Sequence, residues 1–80
     1  MAETTPMTYL VLLEQGPLSW GASVPDLPGC VAVGATREEA EQLIHEAIVL
    51  HVDGLKQDGL PVPEPTTFAA AVDLGPSART

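Results

Sequence analysis

The stretch that decides the fold is TREEAEQLIHEAIVLHVDGLKQDG, residues 36–59. Thr36 and Glu39 form a capping box. The threonine hydroxyl accepts a hydrogen bond from the Glu39 amide, and the Glu39 side chain accepts one from the amide of the capping residue. Behind this cap, side chains recur at helical spacing along one stripe. They are Ala40, Leu43, Ile44, Ala47, Ile48, His51 and Leu55. With Gly59 as the stop signal, the pattern predicts one amphipathic helix of about twenty residues.

Three short segments that favour β-structure precede the helix. Residues 8–14 are apolar on both faces, with Leu10 and Leu12 on the face opposite Val11, which is typical of a strand at the centre of a sheet. Residues 19–24 alternate more cleanly and are predicted to form a hairpin with the first strand. Residues 30–33 form the third strand, after a Pro-Gly pair that suits the central positions of a type II turn.

The segment after the helix is predicted to be extended and then to form a last strand. Proline at every second position of PVPEP, residues 61–65, excludes a helix there. Residues 67–74 alternate in a way that favours a strand. The order β-β-β-α-β predicts an α+β fold in which a single helix packs on one face of a small, mostly antiparallel sheet. We assign residues 8–74 to this domain and residues 1–7 and 75–80 to flexible ends.

The chain is acidic, with a net charge of −8 over 80 residues. Its cations are Arg37, Lys56 and Arg79, too few for the basic surface that nucleic acid binding normally requires. The charge favours a basic partner instead. Cys30 is the single cysteine, so neither an internal disulfide nor a cysteine-based metal cluster is expected, and it is interpreted as a small buried side chain. No cofactor is predicted, and without a signal sequence the expected location is cytoplasmic.

Four motifs, in order across residues 9–66, resemble the HicB family of antitoxins. They are VPDLPGC at 24–30, GATREEA at 34–40, EAI at 46–48 and DGLPVPEP at 58–65. The resemblance implies a truncated ribonuclease-H-like fold and a protein that binds and neutralises a small basic ribonuclease toxin, HicA, by covering its RNA-cleaving site. Many family members also carry a C-terminal DNA-binding domain. Almost nothing follows Leu74 here, so direct DNA binding is not expected.

An active nuclease is not expected despite the ribonuclease-H-like outline. That chemistry needs several carboxylates at strand ends to hold two divalent cations. The first strand supplies only Glu14, and Glu46 and Asp53 on the helix have no obvious partners on the sheet. The protein is therefore predicted not to be an enzyme. The alternative to an antitoxin is a stand-alone oligomeric scaffold or regulator of the same family with no cognate toxin.

The predicted contact residues fall into three groups. A single helix covers one face of the sheet, so the face that carries Leu10 and Leu12 is expected to be buried by a second copy or by a partner. A homodimer or higher oligomer follows from that expectation. Trp20 suits an interface anchor and equally an ordinary core position. The acids at the helix start form the third group; they are Glu38, Glu39 and Glu41.

Overall fold

Three short strands and one long helix make up the regular structure of residues 7–76, the part of the chain that the computed structural model describes. The elements are β1 (Leu12–Gln15), β2 (Trp20–Ser23), β3 (Val31–Gly34) and α1 (Arg37–Gln57). The helix packs on the antiparallel sheet, which confirms the predicted α+β class. The predicted flexible ends lie largely outside the described residues, since 1–6 and 77–80 are not among them.

The sheet has the order β1-β2-β3, so β2 is its middle strand. Leu12 lies opposite Ser23, and Ser23 lies opposite Val31. The prediction that the first strand is central was therefore wrong. Its inner apolar face, which includes Leu13, packs against the core, whereas Leu12 on the other face is 46% exposed. One apolar face of β1 is therefore covered by the core, and the other is exposed in the single chain.

The ends of α1 follow the local chemistry of the sequence. Thr36 Oγ1 accepts a hydrogen bond from the Glu39 amide at 3.1 Å, as predicted. The Glu39 carboxylate accepts from the Ala35 amide at 2.6 Å, one residue before the amide that a standard capping box uses. At the other end, the Leu60 amide donates to the Leu55 carbonyl, and Gly59 takes a φ of +69°. Gly59 therefore ends the helix, as predicted, because glycine adopts this conformation at little cost.

The core lies between the inner face of the sheet and α1, closed at one end by the loop between β2 and β3. Its six buried residues are Ala22, Val24, Leu27, Cys30, Ala40 and Ile44. Trp20 packs partly buried against this cluster on the same face as Ala22 and Val24, as their alternation predicts. Leu43, a member of the predicted stripe, is 38% exposed, whereas Val52 packs against the core. The buried face of the helix is therefore rotated slightly from the predicted one.

Gly34 is the point of closest approach between the sheet and the helix. It is buried at the end of β3, directly before the chain turns into α1. A Cβ atom at this position would lie 2.5 Å from the backbone nitrogen of Ala40. Only glycine therefore allows the first turn of the helix to lie this close to the strand.

The loop between β2 and β3 contains the predicted type II turn. The Cys30 amide donates to the Leu27 carbonyl at 3.0 Å, and Gly29 has a φ of +84°. Leu27 is fully buried, so this loop adds a core side chain to the sheet. The turn therefore belongs to the loop that joins β2 to β3 and places the Leu27 side chain in the core.

The last predicted strand, residues 67–74, is not formed within the described chain. Thr66 and Thr67 are hydrogen-bonded to Asp26, in the loop after β2, and the residues beyond them lie exposed. The alternation of the segment suits a strand, but an extended segment becomes a strand only when another strand supplies hydrogen bonds. That prediction was wrong because no edge of the same sheet lies alongside it. Within residues 7–76, no helix combines the length and apolar character that crossing a membrane requires.

Candidate partner-binding surfaces

The acidic helix start, Glu38, Glu39 and Glu41, is exposed, but its three carboxylates are differently engaged. Glu39 is occupied by the cap described above. Glu41 Oε2 lies 3.8 Å from Arg37 Nε in an exposed ion pair, a type that contributes little stability. Glu38 makes no hydrogen bond or ion pair with the other residues that the structure describes. Glu38, followed by Glu41, is therefore the carboxylate most available to an external cation.

The outer sheet face is the surface of β1 and β3 turned away from α1, where the exposed Glu14 accompanies three apolar side chains, Leu12, Val31 and Val33. These side chains are 46%, 63% and 65% exposed. They form two rows across the sheet, because Leu12 and Val31 both flank Ser23, and Val33 lies opposite Gly21. Exposed large apolar side chains grouped on one face are typical of an interaction surface. The two valines were missed from the sequence, although their alternation with Cys30 and Ala32 marks them.

Leu10 and Trp20 lie away from the exposed centre of that face. Leu10 is half-buried and precedes β1. Trp20 is half-buried on the helix-facing side, opposite Gly34 in the sheet register. The residues predicted to bind a partner therefore do not form one patch. The outer sheet face and the acidic helix start lie on different sides of the molecule, and Trp20 belongs to the layer between them.

A groove of about 540 Å³ lies between α1 and the segments that flank it. Its walls include Tyr9 and Val62 on one side and Ile48, Val52 and Lys56 of the helix on the other. The lining is mostly apolar. Within the described chain, no three His, Cys, Asp or Glu side chains group closely enough to hold a metal ion.

Asp26 anchors the segment after the helix to the loop between β2 and β3. Its carboxylate accepts hydrogen bonds from the amides of Thr66 and Thr67, at 2.9 and 3.0 Å, and from both hydroxyls, at 3.0 and 2.7 Å. Nearby, the Tyr9 hydroxyl donates to the Pro63 carbonyl. The hydrogen bonds from the Thr67 hydroxyl and the Thr66 amide hold the pKa of Asp26 below its usual value, despite some desolvation. We call the four hydrogen bonds from Thr66 and Thr67 to the Asp26 carboxylate the Asp26 clamp.

The Asp26 clamp is expected to open in acid. Because the folded pKa lies below the usual 3.8, the clamp is fully formed above that value and is lost as the pH falls through the folded pKa. The amide resonances of Thr66 and Thr67 should therefore be constant near neutral pH and should shift together below about pH 4. In Asp26→Ala, which has no side-chain acceptor, both amides should be released already at pH 7 and should show no such titration. Resonances that titrate identically in the variant would contradict the assignment.

Two further titratable residues are explained by packing alone. Burial raises the pKa of the Cys30 thiol, which disfavours the reactive thiolate and confirms the interpretation of a small buried side chain. Desolvation, with a smaller effect from the Asp26 charge, raises the pKa of the Tyr9 hydroxyl, so it stays protonated as a donor. Neither group suggests chemistry of its own.

Residues 9–75 match the sequence model of a protein family, the HicB-like antitoxins of bacterial toxin-antitoxin systems. The chain belongs to this family. The match includes the Asp26 clamp, all three strands and the helix, and it extends through the exposed segment after Thr67. The motifs at 24–30 and 34–40 have structural roles in this HicB-like fold. The first forms the loop that carries Leu27 and Asp26, and the second contains Gly34 and the helix cap.

Two longer curated proteins are similar to most of this chain. An uncharacterised 14.9 kDa protein of the rep-hol intergenic region in Haemophilus phage HP1 is 36% identical over 58 residues, which are 72% of this chain and 44% of the phage protein. Antitoxin HicB 2 of Photorhabdus laumondii subsp. laumondii is 34% identical over 65 residues, which are 81% of this chain and 47% of the relative. The chain thus spans less than half the length of the curated relatives it matches.

Proposed function

We propose that this HicB-like protein is an antitoxin that binds a small basic ribonuclease toxin of the HicA type and neutralises it by covering its RNA-binding site. The observation that carries the proposal is the family match over residues 9–75. The net charge of −8 supports it, because a surface that binds RNA phosphates is itself basic. An acidic antitoxin competes with RNA for the same positive charges.

The acidic helix start is the surface that we assign to the toxin. Glu38 and Glu41 project from the first turns of α1, and Glu46, about two turns after Glu38, is also exposed. Carboxylates on a rigid helix can meet lysine and arginine side chains without first being ordered, which lowers the cost of association. The Glu39 carboxylate is hydrogen-bonded in the helix cap, so it contributes to toxin binding only through its charge.

The antitoxin acts by binding and performs no reaction of its own. Antitoxins of this family are generally non-enzymatic, and Glu14 is the single acid in the three strands, so the sheet lacks the carboxylate cluster of a two-metal nuclease. With three cations in the whole sequence, it is not expected to bind DNA directly. The proposed site of action is the cytoplasm, where a ribonuclease toxin meets its RNA.

The test of the proposal is co-expression with the small basic protein encoded beside this gene. We expect the pair to co-purify and the growth arrest caused by the basic protein to be relieved. The purified antitoxin should also block RNA cleavage by that protein in a stoichiometric manner. Growth arrest that persists, with no complex formed, would reject the antitoxin role.

Reversing two charges at the acidic helix start is expected to slow association with the toxin. Glu38→Lys with Glu41→Lys should lower the association rate about tenfold at low salt, because the basic partner is no longer attracted to this surface. The difference should shrink as salt rises, since screening removes the attraction in both proteins. Stopped-flow or surface-binding kinetics at several salt concentrations measure this effect.

The matched control makes the same change in net charge elsewhere. Asp53 and Glu64 are exposed and lie outside the acidic helix start. Asp53→Lys with Glu64→Lys should slow association much less than the pair at the helix start. Equal slowing in both variants would mean that net charge, and not this surface, attracts the toxin.

A stand-alone oligomeric regulator is the second candidate function, and the exposed outer sheet face favours it. Such a protein would assemble through that face and would have no toxin encoded beside it. The neighbouring gene separates the two candidates. A short open reading frame for a basic protein supports the antitoxin, and the lack of one supports the regulator.

A further inference from the structure

The segment after the Asp26 clamp, residues 68–74, is extended and apolar but lies in solvent. Phe68, Val72 and Leu74 are 81%, 79% and 76% exposed. Asp73 is the one charged residue of the segment, and it ends the extended run by accepting a hydrogen bond from the Gly75 amide at 2.8 Å. Alternating large apolar side chains on an extended backbone are the pattern of a strand with one face buried. Within residues 7–76 no strand pairs with it.

The Asp26 clamp fixes the place where this segment leaves the body of the protein. The hydrogen bonds to Thr66 and Thr67 hold the two residues directly before Phe68. The segment therefore leaves the molecule from a defined point beside the loop that leads into β3. Anchoring one end of an extended segment lowers the entropy that it loses on binding.

The strand β3 lies at an edge of the sheet and lacks the features that usually prevent an edge strand from pairing with another chain. Its sequence, VAVG at residues 31–34, contains no charged residue and no proline. Natural proteins protect edge strands with such residues, because an unprotected edge pairs readily with another chain. The opposite edge differs, because β1 contains a charged residue, the exposed Glu14. Among the described residues, β3 pairs with β2 alone.

The charge distribution favours a second copy as the occupant of this edge. Two chains that each carry a charge of −8 repel one another wherever their acidic surfaces meet. The β3 edge has no charge, and the segment at 68–74 has one, so these two surfaces offer the contact with the least repulsion. A basic toxin would gain little electrostatic attraction from either surface.

We propose that residues 68–74 of one copy add as a strand to the β3 edge of a second copy, with the reciprocal exchange forming a two-fold symmetric dimer. The backbone amides and carbonyls of the segment and of β3 would then satisfy one another. Phe68, Val72 and Leu74 would extend the outer sheet face beside Val31 and Val33 of the other copy. One exchange supplies the missing strand and brings these apolar side chains into lateral contact with those of β3, and two-fold symmetry repeats it. The proposal is independent of any toxin.

The test is the mass of the full chain in solution, measured alone by light scattering and by sedimentation equilibrium. The wild-type protein should have twice the monomer mass of 8.4 kDa. Val72→Asp should raise the dissociation constant on the order of a hundredfold, because it puts a charge into the centre of the exchanged strand. Val72 is exposed in the single chain, so the variant should keep the helical circular dichroism signal of the wild type.

Leu18→Asp is the matched control, because Leu18 is 93% exposed in the turn between β1 and β2, outside the proposed contact. It should dimerise like the wild type. A wild-type monomer at all concentrations would overturn the proposal. A dimer that Val72→Asp leaves as tight as the control does would overturn it too, because another surface would then form the contact.

Hydrogen exchange identifies the edge that receives the strand. Amides of residues 68–74 and of β3 should gain protection together as the protein concentration rises, and both should lose it in Val72→Asp. Protection of the segment that is independent of concentration would mean that it folds back on its own sheet, which contradicts exchange. These measurements contain no toxin, so their outcome is separate from that of the antitoxin test.

Discussion

Replacing Gly34 with alanine is expected to push α1 away from the sheet and to lower the free energy of unfolding by about 3 kcal/mol. The added Cβ would lie 2.5 Å from Ala40 N and 3.0 Å from both Ala40 Cα and the carbonyl carbon of Glu39. These are backbone atoms in the first turn of the helix, so no side-chain rotation can relieve the contact. The first turn, with its cap, must shift from β3 as a unit.

The control for this effect is a second glycine of the same sheet. Gly21 is on β2 and lies opposite Val33, and a Cβ atom there would meet nothing within 4 Å. Gly21→Ala should therefore leave the protein unchanged or stabilise it by up to about 1 kcal/mol, since glycine weakens a strand. Urea unfolding followed by circular dichroism measures both variants. Equal stability of the two variants would show that the close approach at Gly34 does not constrain the fold.

Leu27→Ala is expected to have the other large effect, a loss of about 2–5 kcal/mol from the free energy of unfolding. The Leu27 side chain is fully buried, although it comes from a loop and not from a strand or helix. Its removal leaves a cavity in the core cluster, in which Leu27 and Ile44 are the largest fully buried side chains. A domain of this size has a small stability margin, so the variant should be partly unfolded at 37 °C.

Leu18→Ala removes the same atoms from a leucine that is 93% exposed, and it should change the stability by less than about 0.5 kcal/mol. The backbone hydrogen bonds of the loop, from Leu27 N to Val24 O and from Cys30 N to Leu27 O, survive in Leu27→Ala. The difference between the two variants therefore reports the packing of one side chain. Thermal unfolding of both proteins measures it, and a loss at Leu27 no larger than at Leu18 would place the leucine outside the core.

The helix could be predicted almost completely because its signals are local. Thr36, the apolar spacing and Gly59 all act within the segment that they define, and the structure has the helix at Arg37–Gln57. The turn at Pro28-Gly29 is local in the same sense. The position of β1 in the sheet could not be predicted. A strand with two apolar faces has the same sequence pattern whether it is central or lies at an edge with one face exposed.

The candidate contact surfaces were only partly predictable. Leu12 and the acidic helix start follow from alternation and capping, but the Asp26 clamp joins residues 40 and 41 positions apart. No periodicity links an aspartate in one loop to two threonines in another. The same long-range contact decides where residues 68–74 lie, so the alternating pattern there was interpreted as a strand of the same sheet.

The sequence by itself determined the α+β class, both ends of the helix, the acidic charge and the likeness to HicB-like antitoxins. Each depends on neighbours in the chain, on composition or on motifs, which need no knowledge of the packing. Only the tertiary structure decided that β1 is an edge strand, that Gly34 lies against the helix backbone and that residues 68–74 are exposed and pair with no strand of the sheet. These features depend on which distant segments of the chain meet. In a chain this short, much surface stays exposed, and local sequence patterns do not determine which surface that is.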